Sequence, residues 1–300
     1  MHNMTIAITG AFGFLGSELV KFLLHHTNYD IIAIVKSTTI NSRLQYEGNR
    51  LQFFYSDKNP LDLLYKQYCI DIVVHAATDY GRNRQLADVV YNNVLFPLQL
   101  LENAKKHKVK LFINTDSYFT KAESSYSYLL SYTLTKKHFE DYIRNEEEIP
   151  LINIKLEHVF GIGDADTKFV TNIFKMIVTG KPQIDATEGT QKRDFIYVSD
   201  VVRLFHEVII NYKSFEKNYY LIEAGWGRSM AVRDFILKIK EVTGSNSHIS
   251  FGSLPMRDGE IMDSIADISL IPKFLKWRPS ITIDEALELM RDYYLQKTEF

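Results

Sequence analysis

A short apolar run, Met4-Thr5-Ile6-Ala7-Ile8-Thr9, ends in three glycines spaced G-x-x-G-x-x-G: Gly10, Gly13 and Gly16. An amphipathic helix pattern (Leu15, Leu19, Phe22, Leu23) follows at once. A strand that turns directly into a helix at this spacing constrains the chain more than any other feature it carries. Gly10 predicts a sharp turn. Gly13 lets backbone approach an anion seated on the positive end of the helix, the arrangement that holds a dinucleotide pyrophosphate. Gly16 permits close packing of helix on strand. Without a ligand the same stretch is a glycine-rich turn, but its place between strand and helix favours nucleotide binding.

The pattern that follows extends this start into a fold class. Strand candidates are Thr5–Thr9, Ile31–Val35, Leu51–Tyr55, Ile70–His75, Leu111–Thr115 and Leu151–Lys155, with helix patterns at Ser17–His25, Asn93–Lys106 and Ser131–Asn145. Such alternation predicts an α/β protein with a Rossmann-type, doubly wound parallel sheet. Ligands on these sheets bind beyond the carboxyl ends of the strands. After Phe160 the pattern changes: Gly161–Asp164 reads as a loop, Ile184–Tyr197 as irregular, and Phe169–Thr179, Ser199–Ile210 and Ala231–Thr243 as helices. Residues 1–160 are therefore expected to form the dinucleotide-binding domain and 161–300 a smaller α/β substrate-binding cap. A strand near Asn218–Ile222 is expected to return to the first sheet.

Composition narrows the function classes. A formal charge of -2 gives no argument for nucleic acid or an anionic membrane, and 46% hydrophobic with 24% charged residues is an ordinary globular balance. No apolar segment is long enough to span a bilayer, and the N-terminus reads as a core strand rather than a signal peptide. The single cysteine, Cys69, excludes an intramolecular disulfide and fits a reducing cytoplasm. Lying in an apolar run, Cys69 is expected to be buried and structural. No metal site is expected.

The chemistry-bearing residues fall just after the strands. In NAD-binding sheets an acidic residue commonly follows the second strand and holds the ribose 2′-hydroxyl. Here the segment is Ile34-Val35-Lys36-Ser37-Thr38, without a carboxylate. Lys36, Ser37 and the nearby Arg43 suit a 2′-phosphate and favour NADP over NAD. The plainer reading of Lys36 is a surface lysine. Asp57 is either an acceptor for the adenine amino group or a solvated loop residue. After the fourth strand, Ala76, Ala77 and Thr78 are small enough for backbone to lie against a cofactor, while His75 reads as a packed histidine. The fifth strand ends at Asn114-Thr115-Asp116-Ser117, and Tyr132 and Lys136 follow four apart on one helix face. The lysine charge is expected to lower the tyrosine pKa and make it a general acid or base, with Thr115 orienting a substrate oxygen. Y-x-x-x-K alone is a weak signal, since Tyr293/Lys297 also matches by chance.

With these residues in hand, the chain resembles the extended short-chain dehydrogenases/reductases of the NAD-dependent epimerase/dehydratase family. The resemblance covers nearly the whole length. Gly10-Ala11-Phe12-Gly13-Phe14-Leu15-Gly16 resembles the family's cofactor fingerprint, which implies that Phe12, Phe14 and Leu15 also border the cofactor. Thr115, Tyr132 and Lys136 fall where the family has its catalytic Ser/Thr, Tyr and Lys. Lys155-Leu156-Glu157-His158-Val159-Phe160-Gly161, Arg193-Asp194-Phe195-Ile196-Tyr197-Val198-Ser199-Asp200 and Arg257-Asp258-Gly259-Glu260 match further segments. The resemblance implies that Arg193 and Arg257 contact a substrate diphosphate and that His158 lies near the same phosphates. The structural alternative for Arg193 is an internal pair with Asp194 or Asp200, and for Arg257 a flexible surface charge. Where the family's dehydratases read Thr-Asp-Glu, this chain has Thr115-Asp116-Ser117. Ser117 cannot be the carboxylate base, so dehydration is disfavoured, and Asp116 is left as an acceptor near the sugar.

The stretch between Thr115 and Tyr132 is short and carries Tyr118, Tyr126 and Tyr128. It most resembles the CDP-abequose/paratose synthase type of 4-ketoreductase. Tyr80, Arg82 and Tyr118 are candidates for shaping the sugar pocket. The expected activity is NADPH-dependent reduction of the 4-keto group of a nucleoside-diphosphate-linked deoxyhexose, made for surface polysaccharide. One alternative is an NAD-dependent 4-epimerase; another is a catalytically silent NAD(P)-binding regulatory protein. The resemblance also implies a homodimer joined through Val89–Lys106 and Tyr126–Tyr142.

Overall fold

The structure is a computed structural model that describes residues 3–41, 43–46, 48–121, 127–216 and 218–298. Tyr126 and the side chain of Lys297 lie outside the described residues. Strands β1 (Thr5–Thr9), β2 (Asp30–Val35), β3 (Leu51–Tyr55), β4 (Ile72–His75), β5 (Leu111–Ser117) and β6 (Leu151–Leu156) form one sheet with a seventh strand, Tyr219–Ala224. The order is seventh strand, β6, β5, β4, β1, β2, β3, and every pairing is parallel. The chain winds outward from β1 to β3, then returns to place β4 on the other side of β1. That reversal opens a crevice at the carboxyl ends of β1 and β4.

Alternation along each strand supplies both faces of the sheet. Ile6, Ile8, Ile31, Ala33, Val74, Ile113 and Ile152 join a core that contains Leu19 and Leu23 of helix Phe14–His26 and Val201 and Phe205 of helix Val198–Ile210. Ala7, Ile32, Ile34, Val73, Phe112 and Leu151 face the other way, against Leu100, Leu101 and Ala104 of helix Phe96–Lys106 and Phe139 and Ile143 of helix Leu130–Ile143. At the carboxyl ends the buried residues turn polar. Thr9, His75, Asn114 and Asn153 lie in register across four strands, joined by Thr9 Oγ1···His75 Nδ1 (2.9 Å) and Asn114 Nδ2→Asn153 Oδ1 (2.7 Å). Two pairs further on, and so on the same face, Asp116 lies opposite Lys155.

The structure differs from the sequence reading at three places. Cys69 is exposed, because β4 begins at Ile72 rather than Ile70 and Cys69 lies in the connection before it; Ile70 takes the buried position. The expected helix over Asn93–Lys106 opens with a π turn, Tyr91–Leu95, before Phe96–Lys106. Pro97 lacks an N–H, and its ring clashes with the carbonyl one turn back, a conflict that a widened turn relieves. The irregular Ile184–Tyr197 contains strand pieces Gln183–Ala186, Lys192–Arg193 and Phe195–Tyr197, each too short to give a periodic signal. Phe195–Tyr197 pairs with His158–Phe160, so the chain beyond β6 is stitched to this later segment. The Asp194 carboxylate fastens the junction by accepting the N–H groups of Trp226 (2.8 Å), Gly227 (2.9 Å) and Ala266 (3.2 Å).

Gly10 is fixed by two constraints. Its φ is +68°, and a Cβ there would lie 2.7 Å from Ala77 N and 2.9 Å from Ala76 C. Gly180 has nearly the same φ, +69°, with nothing near its Cβ position. Gly180→Ala is therefore expected to cost roughly 1–2 kcal/mol, the left-handed penalty alone. Gly10→Ala is expected to cost about 3 kcal/mol or more, because backbone must move. Urea unfolding of both variants separates the two contributions; equal losses would mean that the close approach is unimportant.

Candidate active site

A cleft of about 1160 Å³ runs from the glycine turn along the carboxyl ends of the strands to residues 254–260. Its floor is the joint between β1 and β4. The Thr9 hydroxyl accepts the N–H groups of Ala76 and Ala77, both at 3.1 Å. Its single hydrogen is then left for His75 Nδ1, so the imidazole carries its proton on Nε2. His75 is wholly buried and held neutral by burial and by the Lys136 charge, which makes it a packed histidine. Above this joint, helix Phe14–His26 begins at the cleft with Gly13 as its cap residue and no side-chain cap. Gly16 has no room for a Cβ, which would strike the Gly10 carbonyl oxygen, so helix and turn are in contact. An uncapped helix N-terminus behind side-chain-free backbone fits a dinucleotide pyrophosphate. Gly10, Phe12, Gly13, Phe14, Leu15, Gly16, Ala76, Ala77 and Thr78 all line this end of the cleft.

Of the residues expected to read the ribose 2′-position, Lys36 and Arg43 line the cleft and Ser37 does not; nor does Asp57, the candidate acceptor for the adenine amino group. Lys36 Nζ donates to the Asn92 side-chain oxygen at 2.7 Å. Asp57 accepts from Ser37 N (2.8 Å) and Oγ (2.6 Å), bonds that lower its pKa. Arg43 spans the cleft, donating to Phe12 O at 3.2 Å and to Gly163 O at 3.0 and 3.2 Å. It thereby ties the glycine turn to the loop after β6.

Thr115, Tyr132 and Lys136 meet at the centre of the cleft. Helix Leu130–Ile143 presents Tyr132, Lys136 and Glu140 on one buried face against β5 and β6. Lys136 Nζ donates to Thr115 O at 2.8 Å. Thr115 Oγ1 is buried without a hydrogen-bond partner, an orphaned hydroxyl at the expected substrate oxygen position. The expected lowering of the Tyr132 pKa is not what the protein fold produces. Burial raises it well above the usual phenol value, the neighbouring Tyr80 adds to the rise, and a hydrogen bond from Ser117 opposes it. The phenol therefore keeps its proton at neutral pH. Burial also lowers Lys136 to about 8, with Asp116 opposing.

Asp116, Ser117, His158, Arg193 and Arg257, the residues expected to meet a substrate, all line the cleft. Asp116 is engaged from within: its oxygens accept from Ser117 N (2.8 Å), Asn153 Nδ2 (3.2 Å) and Thr120 Oγ1 (3.4 Å), and Lys155 Nζ lies 3.8 Å away. Lys155 in turn donates to both Glu140 oxygens at 3.1 Å. His158 is held neutral, its pKa lowered to about 3 by burial and by the charges of Arg193 and Lys168. Arg193 is paired internally, with Glu260 rather than Asp194 or Asp200. It donates to Lys192 O and Ile261 O at 2.6 Å and to Glu260 Oε1 at 2.5 Å. A guanidinium has five donor hydrogens, so two are left unused among the described residues. Arg257 lies half-exposed at the mouth, 3.8 Å from Glu260 Oε2.

Sequence reasoning missed Lys168 and the role of Glu260. Lys168, half-buried in the cleft wall, rests its ammonium 3.4 Å from the Tyr80 ring centroid, and Tyr80 packs against Tyr132 at 5.0 Å. Only the irregular loop before helix Phe169–Val178 carries Lys168 there, and no spacing rule marks it.

Comparison with known proteins identifies the family and the fold. The model of the "NAD dependent epimerase/dehydratase family" matches residues 6–222. CDP-abequose synthase of Salmonella muenchen is 35% identical over 96% of this chain and 97% of its own length. The enzyme of the same name from Salmonella typhimurium is 31% identical over 94% and 96%. Among solved structures, UDP-glucose 4-epimerase of Thermotoga maritima superposes with a TM-score of 0.81 at 24% identity, covering 98% of this chain and 100% of that one. UDP-glucuronic acid 4-epimerase of Bacillus cereus, solved with UDP-glucuronic acid and NAD, gives 0.82 at 24% identity with the same coverage. These structures share the fold.

The depressed Lys136 pKa has a consequence for stability. In the unfolded chain the lysine titrates near 10.5, in the folded protein near 8, so the unfolded state binds more protons between those values. Stability attributable to this group is expected to rise with pH through that window, its cost being fully present below about pH 8. Lys136→Met is expected to stabilise the protein by roughly 1–3 kcal/mol at pH 7 and to remove that pH dependence. Denaturant titrations at pH 7 and 10 check it; a destabilised variant would mean that the ammonium is not a burden.

Proposed function

The chain belongs to the NAD dependent epimerase/dehydratase family, and from that premise we propose that it reduces the 4-keto group of a nucleoside-diphosphate-linked deoxyhexose with NADPH. The observation that carries the choice of reductase is Lys36, a cation lining the cleft beyond β2 whose hydrogen-bond acceptor is the Asn92 amide rather than a carboxylate. A 2′-phosphate suits such a group, and NADPH is the cofactor that a reductase exchanges at each turnover. Bound at the glycine turn, the cofactor supplies hydride equivalents. Tyr132 holds the proton that a C4 alkoxide needs, and its raised pKa keeps that proton in place at neutral pH. The orphaned Thr115 hydroxyl orients the keto oxygen. Lys136, fixed by Thr115 O, places a positive charge beside the reacting centre. The leftover donors of Arg193, with Arg257 and Lys168, neutralise the diphosphate, so binding energy far from C4 positions the sugar.

Dehydration finds no support, since Ser117 is not a carboxylate and both Asp116 oxygens are occupied by internal donors. The CDP-abequose synthases that resemble the chain over nearly its whole length support a nucleotide-sugar substrate. A 4-epimerase is the second reading, favoured by the names of the structural neighbours and by the same Thr, Tyr and Lys. A silent binding protein would have no need of these three residues together. A homodimer is supported by exposed apolar side chains on adjoining helices, Leu86, Val90, Tyr91, Leu95, Leu134 and Tyr142.

Mass spectrometry of nucleotide released on denaturation, with NADPH and NADH titrations of the stripped protein, separates the readings. An exchangeable site that prefers NADPH supports the reductase; tightly held NAD supports the epimerase. Lys36→Ala is expected to weaken NADPH at least about tenfold more than NADH, and an equal loss would remove Lys36 from the argument. Tyr132→Phe is expected to bind cofactor normally and lose at least about a hundredfold in turnover of a 4-keto sugar nucleotide; retained activity would sink the mechanism.

A further inference from the structure

Three separate segments converge on one side chain at the mouth of the cleft. The Tyr128 phenol oxygen accepts from the Arg82 NH2 group at 2.7 Å, and the Arg257 guanidinium carbon lies 3.8 Å from the centroid of the same ring. Arg82 comes from the loop after β4, Tyr128 from the approach to helix Leu130–Ile143, and Arg257 from the loop at 254–262. All three residues line the cleft. Arg82 makes one other polar contact, to Thr167 O at 3.4 Å, and pairs with no carboxylate among the described residues. The carboxylate within reach of Arg257 is Glu260, 3.8 Å away and already bonded to Arg193. Two guanidinium groups gathered on one ring without a full complement of negative charge repel each other, and a multiply charged anion between them relieves that cost. The chain turns sharply here: Leu129 has φ +57°, a left-handed conformation that a branched residue holds only where its surroundings compel it.

From this convergence we infer that Tyr128 is a positioning residue that holds Arg82 and Arg257 as a two-armed clamp on the diphosphate of the ligand, which makes Arg82 a further anion-binding residue. The inference rests on the nucleotide-sugar reading of the cleft. The two arms depend on different parts of Tyr128. The hydroxyl holds Arg82, and the ring face holds Arg257.

Calorimetric titration of the full chain with CDP, UDP, dTDP and GDP, and with the corresponding monophosphates, tests it. Tyr128→Phe and Arg82→Gln are each expected to weaken the bound diphosphate about tenfold, with a smaller effect on the monophosphate and none on NADPH. The double variant is expected to be no weaker than either single one, because both changes remove the same arm. Tyr128→Phe combined with Arg257→Gln is expected to be additive, since phenylalanine keeps the ring. Unchanged diphosphate affinity in Arg82→Gln, or additive losses in the Tyr128→Phe/Arg82→Gln double variant, would overturn the clamp while leaving the nucleotide-sugar reading intact. A wild-type protein that binds NADPH but none of the diphosphates would overturn that reading and the clamp with it.

Discussion

Everything at this site depends on how closely two strand ends approach. The Thr9 hydroxyl takes the N–H groups of Ala76 and Ala77, and Gly10 turns away from the same backbone with no space for even a methyl group. That contact sets the floor of the crevice. It points helix Phe14–His26 at the crevice and leaves the start of that helix uncapped. The position of helix Leu130–Ile143 follows, because Asn93, in the π turn, bonds both Asp79 in the loop after β4 and Thr135 beside Lys136. A displaced β4 would displace the tyrosine and lysine with it.

The site sets burial against charge. Tyr132 and Lys136 are both removed from water, and each moves toward its neutral form. Burial therefore keeps the tyrosine a proton donor while making the lysine costly to hold charged. Asp116 works against the second effect from beneath the helix, and the Lys155–Glu140 pair keeps Asp116 within a buried group of paired charges. At the mouth the balance is reversed. Cations there are shared among aromatic faces and one glutamate, an arrangement suited to a ligand that brings its own negative charge.

The sheet was legible in the sequence because its central strands are buried on both faces and read as apolar runs ending at glycine, small or polar residues. β1, β2, β3, β5 and β6 lie where those runs are. Tyr132 and Lys136 were legible by their spacing of four on one helix, and Thr115 by its place at the end of β5. What stayed hidden was set by tertiary contact. Cys69 looks like part of a strand until the true start of β4 leaves it outside. The rise of the Tyr132 pKa reflects depth of burial, which no spacing encodes. Glu260 meets Arg193 across 67 residues of chain, and Lys168 reaches Tyr80 from a loop with no periodic pattern.

The polar row beneath helix Leu130–Ile143 bears on how the chain finds its fold. Asn114 faces Asn153 and Asp116 faces Lys155 along neighbouring strands. Apolar residues alternate with them on the opposite face, and most hydrophobic side chains are interchangeable in such a run. A slip of β5 against β6 by one position would cost little in oil-like contacts alone. It would, however, strand two amides and two charges among Ile113, Ile152 and Ile154, where each unpaired group is worth several interchangeable methyls. These buried polar pairs, of which Asp116 also lines the cleft, thus act as a proofreading mark on strand alignment, disfavouring registers that an all-apolar pair of strands would tolerate.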